Sequence, residues 1–306
     1  MVLLLLKQIS QLFLCIILGW LLVRLRLVKS ADSRVLSVVC MYLVLPCVVV
    51  SAFQIPCTPE LLQGLALSLG AAIGIHVFLF LAVALLRRPL GLTPVERASV
   101  IYSNCGNLII PLVNATLGPE WVIFSSMYQL VQQFPLWSHC RILLSGSRSV
   151  SIKTILLNVN IISVLVGSAL FLLDISLPGV IQGTMESIGA MVGPISMIIA
   201  GMLMGGQDLK RAFLIPSVWK VAALRLIVMP LAILSILKYT GLASLVPDGS
   251  SILLISLLAA SAPSASNVTQ IAQVYGRDGE SACAINVITT LLCIATMPLM
   301  VLLYQL

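Results

Sequence analysis

A series of apolar runs, each about 20 residues long, constrains this chain more than any other feature of its sequence. A helix of roughly 20 residues, rising about 1.5 Å per residue, crosses the hydrocarbon core of a membrane. Of the 306 residues, 60% are hydrophobic and 9% are charged, whereas a soluble globular domain has about 25% charged residues. We therefore expect an all-α integral membrane protein with short loops and no separate soluble domain.

Turn residues divide the apolar runs into ten predicted transmembrane helices. Thr93-Pro94-Val95-Glu96 is a capping box with proline at the first helical position, which indicates the start of a helix. The first run has no basic region before it and no small-residue cleavage site, so we interpret it as a span rather than a signal peptide. The predicted spans are about 3–23, 35–54, 61–86, 94–117, 120–143, 154–173, 180–205, 216–237, 250–275 and 280–304.

The distribution of lysine and arginine predicts the orientation of the spans. Most of the 17 lysine and arginine residues lie in the loops that follow odd-numbered spans, and only Lys7 and Lys238 lie on the other side. Loops rich in lysine and arginine stay in the cytoplasm, so we expect a multi-pass protein of the cell membrane with both termini outside. The net charge of +7 is then explained by topology and contact with anionic lipid, and we expect no nucleic-acid partner.

The two halves of the chain share a pattern of anchor residues. Each half has five predicted spans, an odd number, so the second half enters the membrane from the opposite side. The pattern therefore predicts two inverted five-helix repeats, residues 1–148 and 149–306, an architecture common among secondary transporters. The matched anchors are Gly19 with Gly167, Pro46 with Pro194, Pro111 with Pro263, and Gln129 with Asn286.

Spans four and nine contain similar helix-breaking stretches, YSNCGNLIIPLVNAT at 102–116 and LLAASAPSASNVTQIAQ at 257–273. In each, a proline lies near mid-span among small and amide residues. Proline removes a backbone hydrogen bond, and lipid tolerates the freed groups only where protein buries them or they line a cavity. We expect two broken helices that restart near Pro111 and Pro263 and cross each other at mid-membrane. The alternative is a plain proline kink.

A crossing of this kind is suited to an anion. A restarting helix presents free N–H groups and a partial positive charge, which favour a carboxylate. Neutral amides and hydroxyls can bind that carboxylate without the cost of burying a full countercharge. The candidate substrate-binding residues at the crossing are Asn104, Asn107, Pro111, Asn114, Pro263, Ser264, Ser266 and Asn267.

Spans five and ten each carry three polar residues at spacing i, i+3, i+4, which places each trio on one helix face. The trios are Gln129, Gln132 and Gln133, and Asn286, Thr289 and Thr290. They could line the transport path or bind neighbouring helices, and the sequence leaves both roles open. On the first interpretation Gln129, Gln133 and Asn286 join the candidate site.

Few ionisable residues lie within the predicted spans. A central arginine such as Arg225 costs about 2.5–3.5 kcal/mol to insert, so it should have a partner, either carbonyls of a broken helix or an anionic substrate. His76 could carry a proton or simply be a hydrogen-bonded interior histidine. The eight cysteines contain no C-x-x-C pair, so we expect no metal centre, and nothing in the sequence indicates a cofactor.

The chain resembles the auxin efflux carrier (AEC) family, prokaryotic type, which is similar in fold to the bile-acid sodium symporters. The segments that carry the resemblance include FLCIILGWLLVRLRLV, LVLPCVVVSAF, NCGNLIIPL and LAASAPSASNVTQIAQVYGRDGESA. The resemblance implies ten spans in two inverted repeats with crossed broken helices four and nine. It also implies a scaffold of spans 1, 2, 6 and 7, a moving transport unit of spans 3, 4, 5, 8, 9 and 10, and a homodimer formed through the scaffold.

One departure bears on the substrate. Plant auxin exporters have an asparagine directly after the span-four proline and a long cytoplasmic loop, whereas here Leu112 follows Pro111 and the loop is short. We therefore expect a secondary transporter of a small organic anion, a carboxylate or dicarboxylate, that works by alternating access, with H+ or Na+ as the possible coupling ion. The alternatives are a channel or a ligand-sensing membrane protein. With two histidines and no G-x-S-x-G, we do not expect an enzyme.

Overall fold

The computed structural model describes residues 2–146, 157–206, 208 and 212–306. Within these ranges the chain is helical, with one isolated β-bridge and no β-strand. The helices are α1 Val2–Arg24, α2 Ser30–Ala52, α3 Pro59–Leu86, α4 Pro94–Ile101, α5 Cys105–Thr116, α6 from Val122 to Ser145, α7 Val159–Leu172, α8 Gly179–Gly205, α9 Pro216–Tyr239, α10 Gly249–Ser261, α11 Ser266–Val274 and α12 Gly279–Gln305.

Five of these helices, α2, α3, α8, α9 and α12, are long and apolar enough to cross a membrane. Shorter apolar helices include Ser10–Arg24, Cys105–Thr116, Val159–Leu172 and Gly249–Ser261. The protein is therefore an all-α membrane protein, as predicted. The number of spans, ten, stays a prediction, and the predicted repeat boundary at 148/149 lies outside the described residues.

Spans four and nine are both interrupted, as the sequence indicated, but the first interruption is not where we expected it. Helix α10 ends at Ser261 and α11 begins at Ser266, so Pro263 lies in the break. Helix α4 begins with the predicted capping box between Thr93 and Glu96 and ends at Ile101. Helix α5 then begins at Cys105 and continues through Pro111, so the expected restart near Pro111 was wrong.

Pro111 widens its helix instead of breaking it. The Ile110 N–H donates to the Cys105 carbonyl, five residues back, which is the hydrogen bond of a π turn. The same turn stands immediately before Pro46 and Pro230. Proline lacks an N–H and its ring clashes with the carbonyl four residues earlier in a regular α-helix. In all three segments the π turn gives the proline a place within a continuing helix.

Helices α1 and α8 pack backbone against backbone. A Cβ added at Gly201 would overlap the Ile16 carbonyl, and one added at Gly19 would overlap the carbonyl of Ile198. Only glycine permits this approach, and small residues at such contacts are typical of membrane helices. Helix α2 packs on α7 and α8, while α3 packs on α6 and α10, and α12 packs on α9, α10 and α11.

Candidate functional site

The two helix breaks pair with each other. Ser103 and Ser264 form an antiparallel β-bridge. The Asn104 N–H donates to the Pro263 carbonyl at 2.8 Å, and the Ala265 N–H donates to the Tyr102 carbonyl at 3.0 Å. We call residues 102–104 and 262–265 the crossover. Pairing of this kind satisfies backbone groups inside the protein, as the interior of a membrane requires.

Helix α6 holds the first break through one glutamine. The Gln132 Oε1 atom accepts from the Ser103 N–H and from the Ser103 hydroxyl, both at 2.9 Å. Its Nε2 atom donates to the Ser103 carbonyl at 2.7 Å and to the Cys105 sulfur at 3.2 Å. The Gln132 side-chain amide therefore bonds the N–H and the carbonyl of Ser103 in the way that the backbone of a neighbouring β-strand would.

Helix α12 holds the second break through two residues. The Asn286 Nδ2 atom donates to the Ser264 carbonyl at 2.6 Å, and the Ser264 N–H donates to the Thr289 hydroxyl at 3.2 Å. Gln132 and Thr289 belong to the polar trios but were absent from our predicted site. The spacing placed each trio on one face, yet it could not tell which members of a trio reach the break.

Arg225, from α9, links the C-terminal ends of α4 and α10, the two helices that precede the breaks. Its side chain is 0% exposed. The Nε atom donates to the Ala262 carbonyl and the Nη1 atom to the Val100 carbonyl, both at 2.9 Å. Each helix C-terminus carries about half a negative charge, so α4 and α10 together supply the countercharge of one guanidinium. Of the two partners that the sequence left open, the structure provides the carbonyls.

Four of the predicted residues lie at or beside the beginnings of α5 and α11, and two of them are in contact. The Asn107 Nδ2 atom donates to the Ser266 hydroxyl at 3.4 Å, which places the beginnings of α5 and α11 side by side. Asn104, Asn107, Ser266 and Asn267 are half-buried, and we call them the amide cluster. The first N–H groups of each half-helix have no partner within their own helix, so both helix ends direct donors and partial positive charge toward this cluster.

A cavity of about 490 Å³ lies between α2, α8 and the junction of α5 with α6, and we call it the vestibule. Asn107, Pro111 and Asn114 share one face of α5, at spacing i, i+4, i+7. Asn114 lines the vestibule, whereas Pro111 packs against α8, where a Cβ added at Gly193 would lie 3.6 Å from the Pro111 Cβ. The polar residues of the vestibule are Ser51, Gln54, Asn114, Glu120, Gln182 and Glu186.

The comparison with protein families decides the class of the protein. The family described as membrane transport protein matches residues 4–154 and 146–301, which together cover nearly the whole chain. The chain belongs to this family. The resemblance to the auxin efflux carriers is thereby confirmed, and the protein is a membrane transporter. No match was found among curated proteins.

Two further residues of the predicted site, Gln129 and Gln133, lie on α6 and differ in their contacts. Gln133 accepts a hydrogen bond from Trp137 on its own helix at 2.9 Å. Gln129 is buried beside Gly106, with its Nε2 atom 2.8 Å from where a Cβ on that glycine would lie. In the described part of the chain, the Gln129 Oε1 and Ser264 Oγ atoms are buried without a hydrogen-bond partner.

Proposed function

We propose that this transporter is a secondary carrier that moves a small organic anion, a carboxylate or dicarboxylate, across the cell membrane by alternating access. The observation that carries the proposal is the pairing of Ser103 with Ser264, which places two helix N-termini and their amides at one point. In this proposal the chain has ten spans in two inverted five-helix repeats, with both termini outside the cell.

The charge distribution at the crossover supports an anionic substrate. Arg225 balances the negative ends of α4 and α10. Neither α5 nor α11 contains an acidic residue, so the positive ends of these two half-helices have no countercharge of their own. A carboxylate at the amide cluster would supply one. Asn107, Ser266 and Asn267 would donate to it directly. The free Gln129 Oε1 atom can only accept, so it would bind a hydroxyl group of the ligand and not its carboxylate.

The vestibule gives the substrate a route along the face of α5. The vestibule ends at Asn114. One helical turn further toward the amide cluster, α5 is closed against α8 where Pro111 packs on Gly193. We propose that α3–α6 and α9–α12 move as a transport unit against a scaffold of α1, α2, α7 and α8, which dimerises with a second copy. Glu120 and Glu186 are both exposed, so water and salt screen their repulsion of the anion.

Flux measurements in proteoliposomes test this proposal. We expect Asn107→Ala and Asn267→Ala each to reduce counterflow of labelled malate at least about tenfold, the equivalent of about 1.4 kcal/mol of binding energy. Gln270→Ala is the matched control, because Gln270 is an exposed amide on the same half-helix as Asn267, and it should keep wild-type flux.

Three outcomes contradict the proposal. Wild-type flux in both asparagine variants would remove the amide cluster from the transport path. Single-channel currents in planar bilayers would indicate a channel, which the packing of Pro111 on Gly193 disfavours. Binding of malate or lactate without any counterflow would indicate a ligand sensor.

A further inference from the structure

A second group of buried polar side chains lies at the C-terminal ends of α4 and α10. It consists of His76 from α3, Tyr128 from α6 and Arg225 from α9, and none is more than 3% exposed. The His76 and Tyr128 rings are 4.9 Å apart between centroids, and the charge of Arg225 acts on both side chains. We call these residues the buried triad. The transport path proposed above does not use His76 or Tyr128.

The hydrogen bond of His76 fixes which ring nitrogen carries the proton. The Nδ1 atom lies 2.8 Å from the Ala72 carbonyl oxygen, which can only accept, so Nδ1 is the donor. In the neutral ring the Nε2 atom is then an acceptor with a free lone pair. This atom is buried and has no hydrogen-bond partner in the described part of the chain.

The other two members of the triad also have unpartnered atoms. The Tyr128 hydroxyl faces Arg225, but neither the hydroxyl nor the Arg225 Nη2 atom has a partner with hydrogen-bond geometry among the described residues. The three atoms are chemically complementary, since Nη2 donates, the hydroxyl both donates and accepts, and Nε2 accepts. The adjacent rings of His76 and Tyr128 make the hydroxyl the natural intermediate between them, and our proposal requires a water molecule or a rotation of the hydroxyl to connect the three atoms.

We infer that the buried triad is the site of a coupling proton, which binds at the His76 Nε2 atom. This inference rests on the proposed transport function. The triad suits a proton better than a metal cation, because hard cations bind to several oxygen ligands and the triad provides one hydroxyl beside a fixed positive charge. Helix α10, which also packs on α3, contains no titratable residue.

The remaining titratable groups near α3 have other surroundings. Cys105 lies beside Tyr128. Glu96 in the first turn of α4 pairs with Lys220 at 2.7 Å, and its neighbour Arg97 belongs to the same turn. His139 contacts Phe80, with 4.9 Å between ring centroids. Of the titratable residues named here, His76 is therefore the one whose protonation would place a new positive charge beside Arg225.

Protonation of His76 would couple the triad to the substrate site. An imidazolium beside Arg225 adds a second positive charge to the region where Arg225 binds the Val100 and Ala262 carbonyls. Like charges in a protein interior repel, and a carboxylate at the amide cluster reduces this repulsion. Anion binding and proton binding therefore favour each other, and the coupling is reciprocal.

A spectroscopic experiment tests the proton site without requiring transport. In His139→Gln protein His76 is the only histidine, so ¹⁵N-histidine labelling reports on it alone. We expect the Nδ1–H tautomer at neutral pH and reversible protonation of Nε2 on acidification, shifted to higher pH by saturating malate. Tyr128→Phe keeps the ring packing and should alter this titration. A His76 that stays unprotonated while the protein remains folded would overturn the inference.

A flux experiment tests the coupling. We measure the ratio of malate uptake driven by a pH gradient to malate exchange in proteoliposomes, with a pH dye inside. His76→Gln should lower the ratio at least about tenfold, whereas His139→Gln should keep it. An unchanged ratio in folded His76→Gln would exclude His76 as the coupling site. If the wild-type protein moves no malate, the proposed substrate class fails, and the NMR titration still decides the proton site.

Discussion

The breaks before α5 and α11 pair with each other, but different side chains hold them. Gln132 alone bonds both the N–H and the carbonyl of Ser103, whereas Asn286 and Thr289 divide the same two bonds at Ser264. Gln132 and Thr289 occupy matching positions of their trios, as do Gln129 and Asn286. The glutamine side chain is long enough to bond both the N–H and the carbonyl of one serine. One residue therefore holds the break in the first half of the chain, whereas two residues hold the break in the second half.

This difference leaves one amide of the first half unused. Asn286 is engaged by Ser264, but its counterpart Gln129 has a buried oxygen without a partner in the described part of the chain. The comparison therefore separates two functions that the sequence could not separate. Gln132, Asn286 and Thr289 hold the breaks in place, and in our proposal the Gln129 oxygen contacts the ligand. The variants below test this comparison of the two breaks.

The largest effect is expected for Arg225→Met, which acts on both breaks at once. It removes hydrogen bonds to two buried carbonyls and the charge that balances two helix ends. Breaking a buried pairing of this kind costs about 3–5 kcal/mol. We expect a large fall in the midpoint of thermal unfolding, measured by fluorescence in detergent. Arg225→Lys should recover less than half of the loss, because an ammonium lacks the planar fork that reaches both carbonyls. A full recovery would show that charge alone is sufficient.

A smaller effect is expected for Gln132→Ala, which acts on the first break only. The variant leaves the N–H and carbonyl of Ser103 buried and unpaired, at about 1–3 kcal/mol for each. Thr289→Val removes a single long bond from the second break and should cost about 1 kcal/mol. Thermal unfolding of the two variants side by side measures the asymmetry. Equal losses would mean that the two breaks are held equally.

Gln129→Ala should change ligand affinity more than stability. Its amide oxygen has no protein partner to lose, so we expect the free energy of unfolding to change by less than about 1 kcal/mol. Malate affinity, measured from counterflow, should fall about three- to tenfold, because the Gln129 Oε1 atom would accept a hydrogen bond from the malate hydroxyl. Asn286→Ala is the contrasting variant, because it should lose stability through Ser264. Similar stability losses in both would contradict the division of roles.

The smallest effect is expected for Pro111→Ala. The π turn already accommodates the missing N–H of Pro111, and alanine restores a donor without changing the break at 102–104. We expect the free energy of unfolding to change by less than about 0.5 kcal/mol, as measured by thermal unfolding. A loss of several kcal/mol would indicate that the proline itself fixes the position of α5.

The sequence predicted the second break better than the first, for a physical reason. Pro263 lies in the break that it predicts, so a local residue marks the place. Tyr102, Ser103 and Asn104 contain neither proline nor glycine, and their conformation depends on hydrogen bonds from Pro263, Ala265 and Gln132. No local propensity reveals such distant partners, and a proline seven residues later gave a misleading position.

The roles of the side chains were likewise predictable where local sequence determines them and not where they depend on distant helices. Helical spacing placed the polar trios on single faces, but the choice of Gln132 and Thr289 depends on how α6 and α12 are rotated toward the crossover. The need for a partner at Arg225 followed from its burial in an apolar span, whereas the identity of the partner required the positions of α4 and α10. All four residues of the amide cluster were candidates from the sequence, because they lie in the breaks or close to them; their role in binding stays a prediction.

The bridge between Ser103 and Ser264 also has a consequence for biosynthesis. The first break emerges from the ribosome long before its partner, since 159 positions separate Asn107 from Ser266. Until the C-terminal half has been inserted, the backbone of residues 102–104 has no strand to pair with in a lipid environment. We therefore expect synthesis of this transporter to require that the insertion machinery shelters an unfinished segment, and a chain truncated after α6 should be a substrate for quality-control proteases.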